Sequence, residues 1–301
     1  MSLSKKVKTA LDETRLLILG AQVLFGFQLQ GVFQEAFTDL SPTTRLLTCA
    51  GQVLMALSIG LLIAPSMQHR IVEDGEDTLR IHRVTGLFAG LALLPFEISL
   101  GLGVYIVFDH LYGTVVALVA GSVFCLLAGL FWFGLEFAMK ASIGKMPAHE
   151  QEKPTPLTAK VDQMLTEARV IIPGGQALLG FQLTVTLTRA FEQLPANARL
   201  LHVASLCCVA FAVILLMTPA ALHRITFAGE DTPAFFRLGS AFVIAAPVPL
   251  AIGIAGDLYV AISKAAESPA LGAVLAVGAL AVLAVLWYGL PLYLRGREGG
   301  R

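Results

Sequence analysis

The chain has 301 residues, 56% of them apolar and only 14% charged, with a formal net charge of zero. A soluble domain carries about 25% charged residues, so the composition excludes an ordinary water-soluble fold. The neutral balance gives no general attraction to nucleic acid, and no basic stripe with interleaved aromatics suggests a nucleic-acid partner.

The opening MSLSKKVKTA resembles the start of a signal peptide, but no small-residue cleavage site ends the apolar segment behind it, and that segment recurs mid-chain. It is expected to be a permanent helix. Apolar spans long enough to cross a bilayer are predicted near 16–34, 46–66, 84–108 and 114–139, and again near 170–188, 200–220, 238–262 and 270–294.

The first span is polar on two faces. At about 100° per residue, Arg15, Gln22 and Gly26 share one face, and Glu13, Gln28 and Glu35 lie roughly opposite. Hydrocarbon offers such groups no partners, so this helix is expected to be central, packed on both sides. Its glutamines either bond neighbouring helices or line a polar path.

The second span ends in Pro65, then His69-Arg70, where cations suit a helix C-terminus. The decamer HRIVEDGEDT follows. Gly75 allows a turn, and Glu76 and Asp77 precede a helix start capped by Thr78, with Arg83 further in. This reads as capping and ion pairing, or more sharply as a proton- or cation-gathering loop with His69. The third span places Glu97 near mid-membrane, two residues after Pro95. An ionisable residue at that depth, beside a carbonyl freed by proline, is a functional hypothesis by default. The fourth span carries Trp132 and Glu136 towards its inner end. Trp132, with Trp287, Tyr288 and Tyr293 in the later copy, reads as an interfacial belt.

A polar, proline-containing linker occupies 141–164, and the pattern then repeats. LDETRLLILGAQVLFGFQLQ from Leu11 matches LTEARVIIPGGQALLGFQLT from Leu165, with 14 identities in the 30 pairs from Leu11/Leu165 to Leu40/Leu194. The offset of 154 carries Glu13, Arg15, Gln22 and Gln28 onto Glu167, Arg169, Gln176 and Gln182. It carries the decamer onto HRITFAGEDT, with His223, Arg224, Glu230, Asp231 and, further on, Arg237. Residues 1–140 and 165–301 are therefore read as two four-helix repeats. An even number of spans makes them parallel, related by an axis along the membrane normal. IIPGGQ, with Pro173, predicts a kinked or broken fifth helix. Seventeen Lys and Arg on the side of the termini and decamers, against four (Arg45, Arg189, Arg199, Lys264) on the other, place both termini on the cytoplasmic side of the membrane.

These motifs together, LDETRLLILGAQVLFGFQ, a proline-ended helix and HRI…GEDT…R, resemble a bacterial integral-membrane family catalogued as domain of unknown function 6328. Its members usually carry one four-helix unit, so this chain resembles a tandem version, apart from its linker and tails. The resemblance implies no established activity, although some members carry automated sodium:proton antiporter labels. The family tends to place an acid before the tyrosine late in the third helix. Asp257 in GDLY fits, whereas the first repeat reads GVYI with Gly103 in its place.

The expectation is an all-α, eight-span membrane protein that transports protons or a small monovalent cation. Glu97 is its central acid, Asp257 an outer one, and the polar residues of the first helices its lining. The alternative is a membrane scaffold that presents its decamer loops to a partner. No nucleotide loop, hydrolase motif, metal-ligand set or cofactor box is present, and membrane lipid is the one certain contact of such a surface.

Overall fold

A computed structural model describes residues 3–134 and 154–298, and among these all regular structure is helical. The first repeat contains α1 (Leu3–Gly31), α2 (Pro42–Ile71), α3 (Leu79–Tyr112) and α4 (Thr114–Gly129), with a 3-10 segment Glu35–Asp39 after α1. The second contains α5 (Leu157–Val185), a single turn Arg189–Glu192, α6 (Ala196–Ile225), α7 (Pro233–Ala245), α8 (Pro247–Ala265), α9 (Pro269–Ala284) and α10 (Leu290–Glu298). A π-helical stretch follows the last apolar helix of each repeat, Leu130–Gly134 and Val285–Gly289. Glu136 and most of the expected linker lie outside the described residues, and α5 starts at Leu157, before the expected end of that linker.

The decamers end as their chemistry dictates. Thr78 Oγ1 accepts from the Ile81 amide and Thr232 Oγ1 from the Phe235 amide, each at 3.1 Å, and so caps α3 and α7. Gly75 and Gly229 turn the chain ahead of them at φ of 76° and 83°, a conformation open to glycine at no steric cost.

Six helical segments are long and apolar enough to cross a membrane: Pro42–Ile71, Leu79–Tyr112, Thr114–Gly134, Ala196–Ile225, Pro233–Ala265 and Pro269–Arg297. α1 and α5 fall outside that set because their polar stripes dilute them. They pack against each other at the centre of the bundle, α1 also against α2 and α3, and α5 against α6 and α7. Lys8 meets Asp162 (Nζ–Oδ2 2.6 Å), Gln22 meets Gly174, and the rings of Phe27 and Phe181 lie 4.5 Å apart. These contacts at matching heights show the two helices running parallel.

Two local expectations are corrected. α5 is not broken at Pro173 but continues as helix from Leu157 to Val185. The interruption comes instead between α7 and α8, where Pro247 and Pro249 follow the turn at Ala246. Trp287 is not an interfacial belt residue. It is fully buried, and its Nε1 donates to the Gly60 carbonyl of α2 at 2.9 Å. Its counterpart Trp132 stays half-exposed, edge-on to Phe96. The last helices of the second repeat thus cover α2, whereas α4 rests on α3 and the same face of α6 is bare at Phe211, Ile214 and Met217.

Candidate functional site

Two polar clusters are buried where the repeats meet. The first lies at the decamer end. Glu167 of α5, fully buried, accepts from Arg70 Nε at 2.6 Å and bonds His69 Nδ1 at 3.0 Å. Gln163 Nε2 donates to Asp77 at 3.0 Å, the Asp77 amide donates to Thr155 Oγ1 at 2.9 Å, and Lys160 pairs with Glu76 at 2.6 Å. The first decamer is therefore clasped by the opening helix of the other repeat. Burial alone raises the Glu167 carboxyl, but the Arg70 charge and the His69 hydrogen bond outweigh it and hold the group at about 2. For Glu76, too, burial pulls upward, and the bonds from Lys160 and Thr155 bring it below its usual value.

Among the described residues the second decamer makes no such clasp. His223 pairs with its own Asp231 at 3.2 Å, while Arg224 and Glu230 are exposed, as is Glu13, the counterpart of Glu167. Arg83 and Arg237 are exposed as well. The cause is a difference in how the first helices are turned. α1 buries its Arg15–Gln22 stripe, and α5 buries its Glu167–Gln182 stripe. Each repeat carries both stripes in sequence, and each hides a different one. Arg15 bonds Asp12 through Nη1, while its Nε and Nη2 and both amide atoms of Gln22 are buried without a hydrogen-bond partner among the described residues.

The second cluster lies at the opposite end of the helices. Asp257 of α8 is buried and accepts from Gln182 Nε2 of α5 at 2.7 Å. His202 of α6 bonds the Gln182 carbonyl at 3.1 Å through Nε2, and its Nδ1 stands 3.8 Å from the carboxylate. Among the described residues, Asp257 Oδ1 and Gln182 Oε1 are left without a hydrogen-bond partner. A small cavity of about 10 Å³ adjoins them, walled on its far side by Leu29 and Phe33 of α1. A space of that size holds about one water. In the first repeat Gln28 instead donates to Ser99 Oγ at 2.9 Å, and Thr48 and Gly103 stand where His202 and Asp257 do.

The expected residues therefore separate. Gln182 and Asp257 come together, joined by His202, which the sequence reading passed over. The signal for it was present, because Thr48 to His202 and Gly103 to Asp257 are two departures between the repeats that meet in space. Arg169 and Gln176, expected on a central lining, are exposed on the outside of α5. Glu97 is half-buried between α3 and α4, with the Cys125 thiol 3.7 Å from Oε1 and Gly129 leaving it room. The cavity beside Gln28 is lined by residues such as Thr48, Ile106 and His110, and not by Glu97. Among the described residues no group of three or more His, Cys, Asp or Glu could hold a metal ion.

Apolar helices around buried polar seams define a helical membrane protein. A family model matches residues 2–136 and again 151–291, and the chain belongs to that family of unknown function, DUF6328, as a tandem member. No match to it is found among curated proteins or among solved structures.

Proposed function

We propose that the chain is an eight-span protein of two parallel four-helix repeats in a bacterial inner membrane, termini and decamers cytoplasmic, and that it moves protons or a small monovalent cation. One observation carries this reading. Asp257 is a buried carboxyl with an unpartnered oxygen beside a cavity of about one water, at the seam between the repeats. A buried carboxylate held by one amide hydrogen bond, with an imidazole nitrogen 3.8 Å away, is costly unless a proton or cation joins it. Gln182 Oε1 is a second free acceptor there, and His202 a third polar group within reach. Glu97 Oε2 is also buried without a hydrogen-bond partner among the described residues, but Glu97 does not line that cavity, so the geometry favours Asp257.

The test is ion-driven pH change in proteoliposomes under proton, sodium and potassium gradients. Asp257→Asn abolishes the cation-dependent signal, and Glu97→Gln keeps most of it. A signal untouched by Asp257→Asn overturns the site. No signal from the wild type, folded and reconstituted, overturns transport of these ions. The scaffold reading then stands in its place, on the exposed Arg224 and Glu230 of the second decamer.

A further inference from the structure

The two stripes left outside form one face. On α1 the exposed stripe is Glu13, Leu16, Gly20 and Phe27; on α5 it is Arg169, Pro173, Gln176 and Gly180. α1 meets α5 through Gln22, Gly26 and Phe27, and α5 meets α1 through Gly174 and Phe181. At about 100° per residue, the α1 stripe lies roughly a quarter-turn to one side of that contact. The α5 stripe lies roughly a quarter-turn to the other side. For parallel helices that face each other, opposite quarter-turns bring both stripes to the same side of the pair.

This face suits lipid poorly. Gln176 stands seven residues beyond Arg169, about 10 Å further along the axis, where hydrocarbon satisfies neither end of an amide. Gly20 and Gly180 have open space where a Cβ would stand, so another backbone can approach closely. Leu16 is 74% exposed and Phe27 57%. The charges are complementary, Glu13 on one helix and Arg169 on the other, at nearly the same height.

We infer that this face is covered by a second copy of the chain, in a two-fold dimer whose axis lies along the membrane normal. α1 of each copy then packs on α5 of its partner, which is the self-complementary arrangement a two-fold requires. Each Glu13 meets the other copy's Arg169, each Gln176 gains a polar neighbour, and each Phe27 faces the other copy's Gly180. The inference rests on the packing of α1 and α5 alone and is independent of the transport reading.

The experiment is a charge exchange, read as dimer fraction by single-molecule photobleaching of the full chain in liposomes at low protein density. Glu13→Arg and Arg169→Glu each lower the dimer fraction by roughly tenfold in association constant, a change set by like charges facing each other in a low-dielectric contact. The double variant Glu13→Arg/Arg169→Glu restores it. Both sites are exposed in the single chain, so the fold survives each change. Gly20→Cys and Gln176→Cys, at nearly the same height and placed on differently tagged copies, form a mixed disulfide on mild oxidation. Monomers at every density overturn the inference. So do dimers indifferent to both charges, or a disulfide that forms only within one chain carrying both cysteines.

Discussion

Glu167→Ala lowers the unfolding free energy in detergent by about 3–5 kcal/mol, the usual consequence of removing one partner from a buried ion pair. Arg70 is 4% exposed, and among the described residues its two Nη atoms have no hydrogen-bond partner. Without Glu167 the guanidinium keeps its charge and loses the counterion bonded to it, and His69 loses the acceptor that fixes its ring. Glu13→Ala, at the equivalent position of the other repeat, changes the stability of the monomer by less than about 0.5 kcal/mol, as exposed sites do. Thermal or denaturant unfolding of the two variants side by side checks the contrast, and equal losses sink the clasp. Acid makes the same point in the wild type. The Glu167 carboxyl is held at about 2, below its ordinary 4.5. Its contribution is therefore complete above pH 4.5 and is lost as the pH falls towards 2. Across that interval the wild type loses stability, and Glu167→Gln, having no such proton to gain, loses less.

Trp287→Ala is expected to cost about 3–5 kcal/mol, as deletion of a buried aromatic does. The side chain is fully buried, its N–H bonds the Gly60 carbonyl, and Gly60 also receives Leu283 and Leu286 from the same helical stretch. Trp287→Phe keeps most of the packing and loses the hydrogen bond, a change of about 1 kcal/mol. Trp132→Ala, in the half-exposed counterpart, loses one edge-on contact with Phe96, worth about 1 kcal/mol. The ordering Trp287→Ala, then Trp287→Phe and Trp132→Ala, in a thermal melt is the check. A Trp132→Ala loss as large as that of Trp287→Ala contradicts the asymmetric packing described here.

The duplication, the helical class and the caps were legible because each is local or repetitive. Thr78 and Thr232 announce helix starts one after the other, and the fixed offset exposes the repeat without any knowledge of the fold. The site was less legible because it depends on how each helix is turned. Glu13 and Glu167 are the same residue in the same motif, yet one is exposed and the other is the buried centre of an ion network. Nothing within either repeat decides that, since the turn of α5 is set by Gly174 and Phe181 meeting Gln22 and Gly26 of the other repeat. Trp287 was misread for the same reason. A tryptophan near a helix end suits an interface by itself, and only the carbonyl of Gly60, 227 residues away, draws it inside. Glu97 drew notice by its depth, whereas Asp257 stands out only with His202 and Gln182 beside it.

The bond from Trp287 to Gly60 also bears on the history of the chain. Its reciprocal is closed, because Ile214 stands where Gly60 does and offers a branched side chain in place of a notch. The first repeat has surrendered the covering of its second helix to its sibling and cannot return the service. The first repeat is the host and the last helices of the second are its lid. A gene split back into its halves would release one part with an open wound and another with nothing to close over, so the fusion has turned from a convenience into a one-way step.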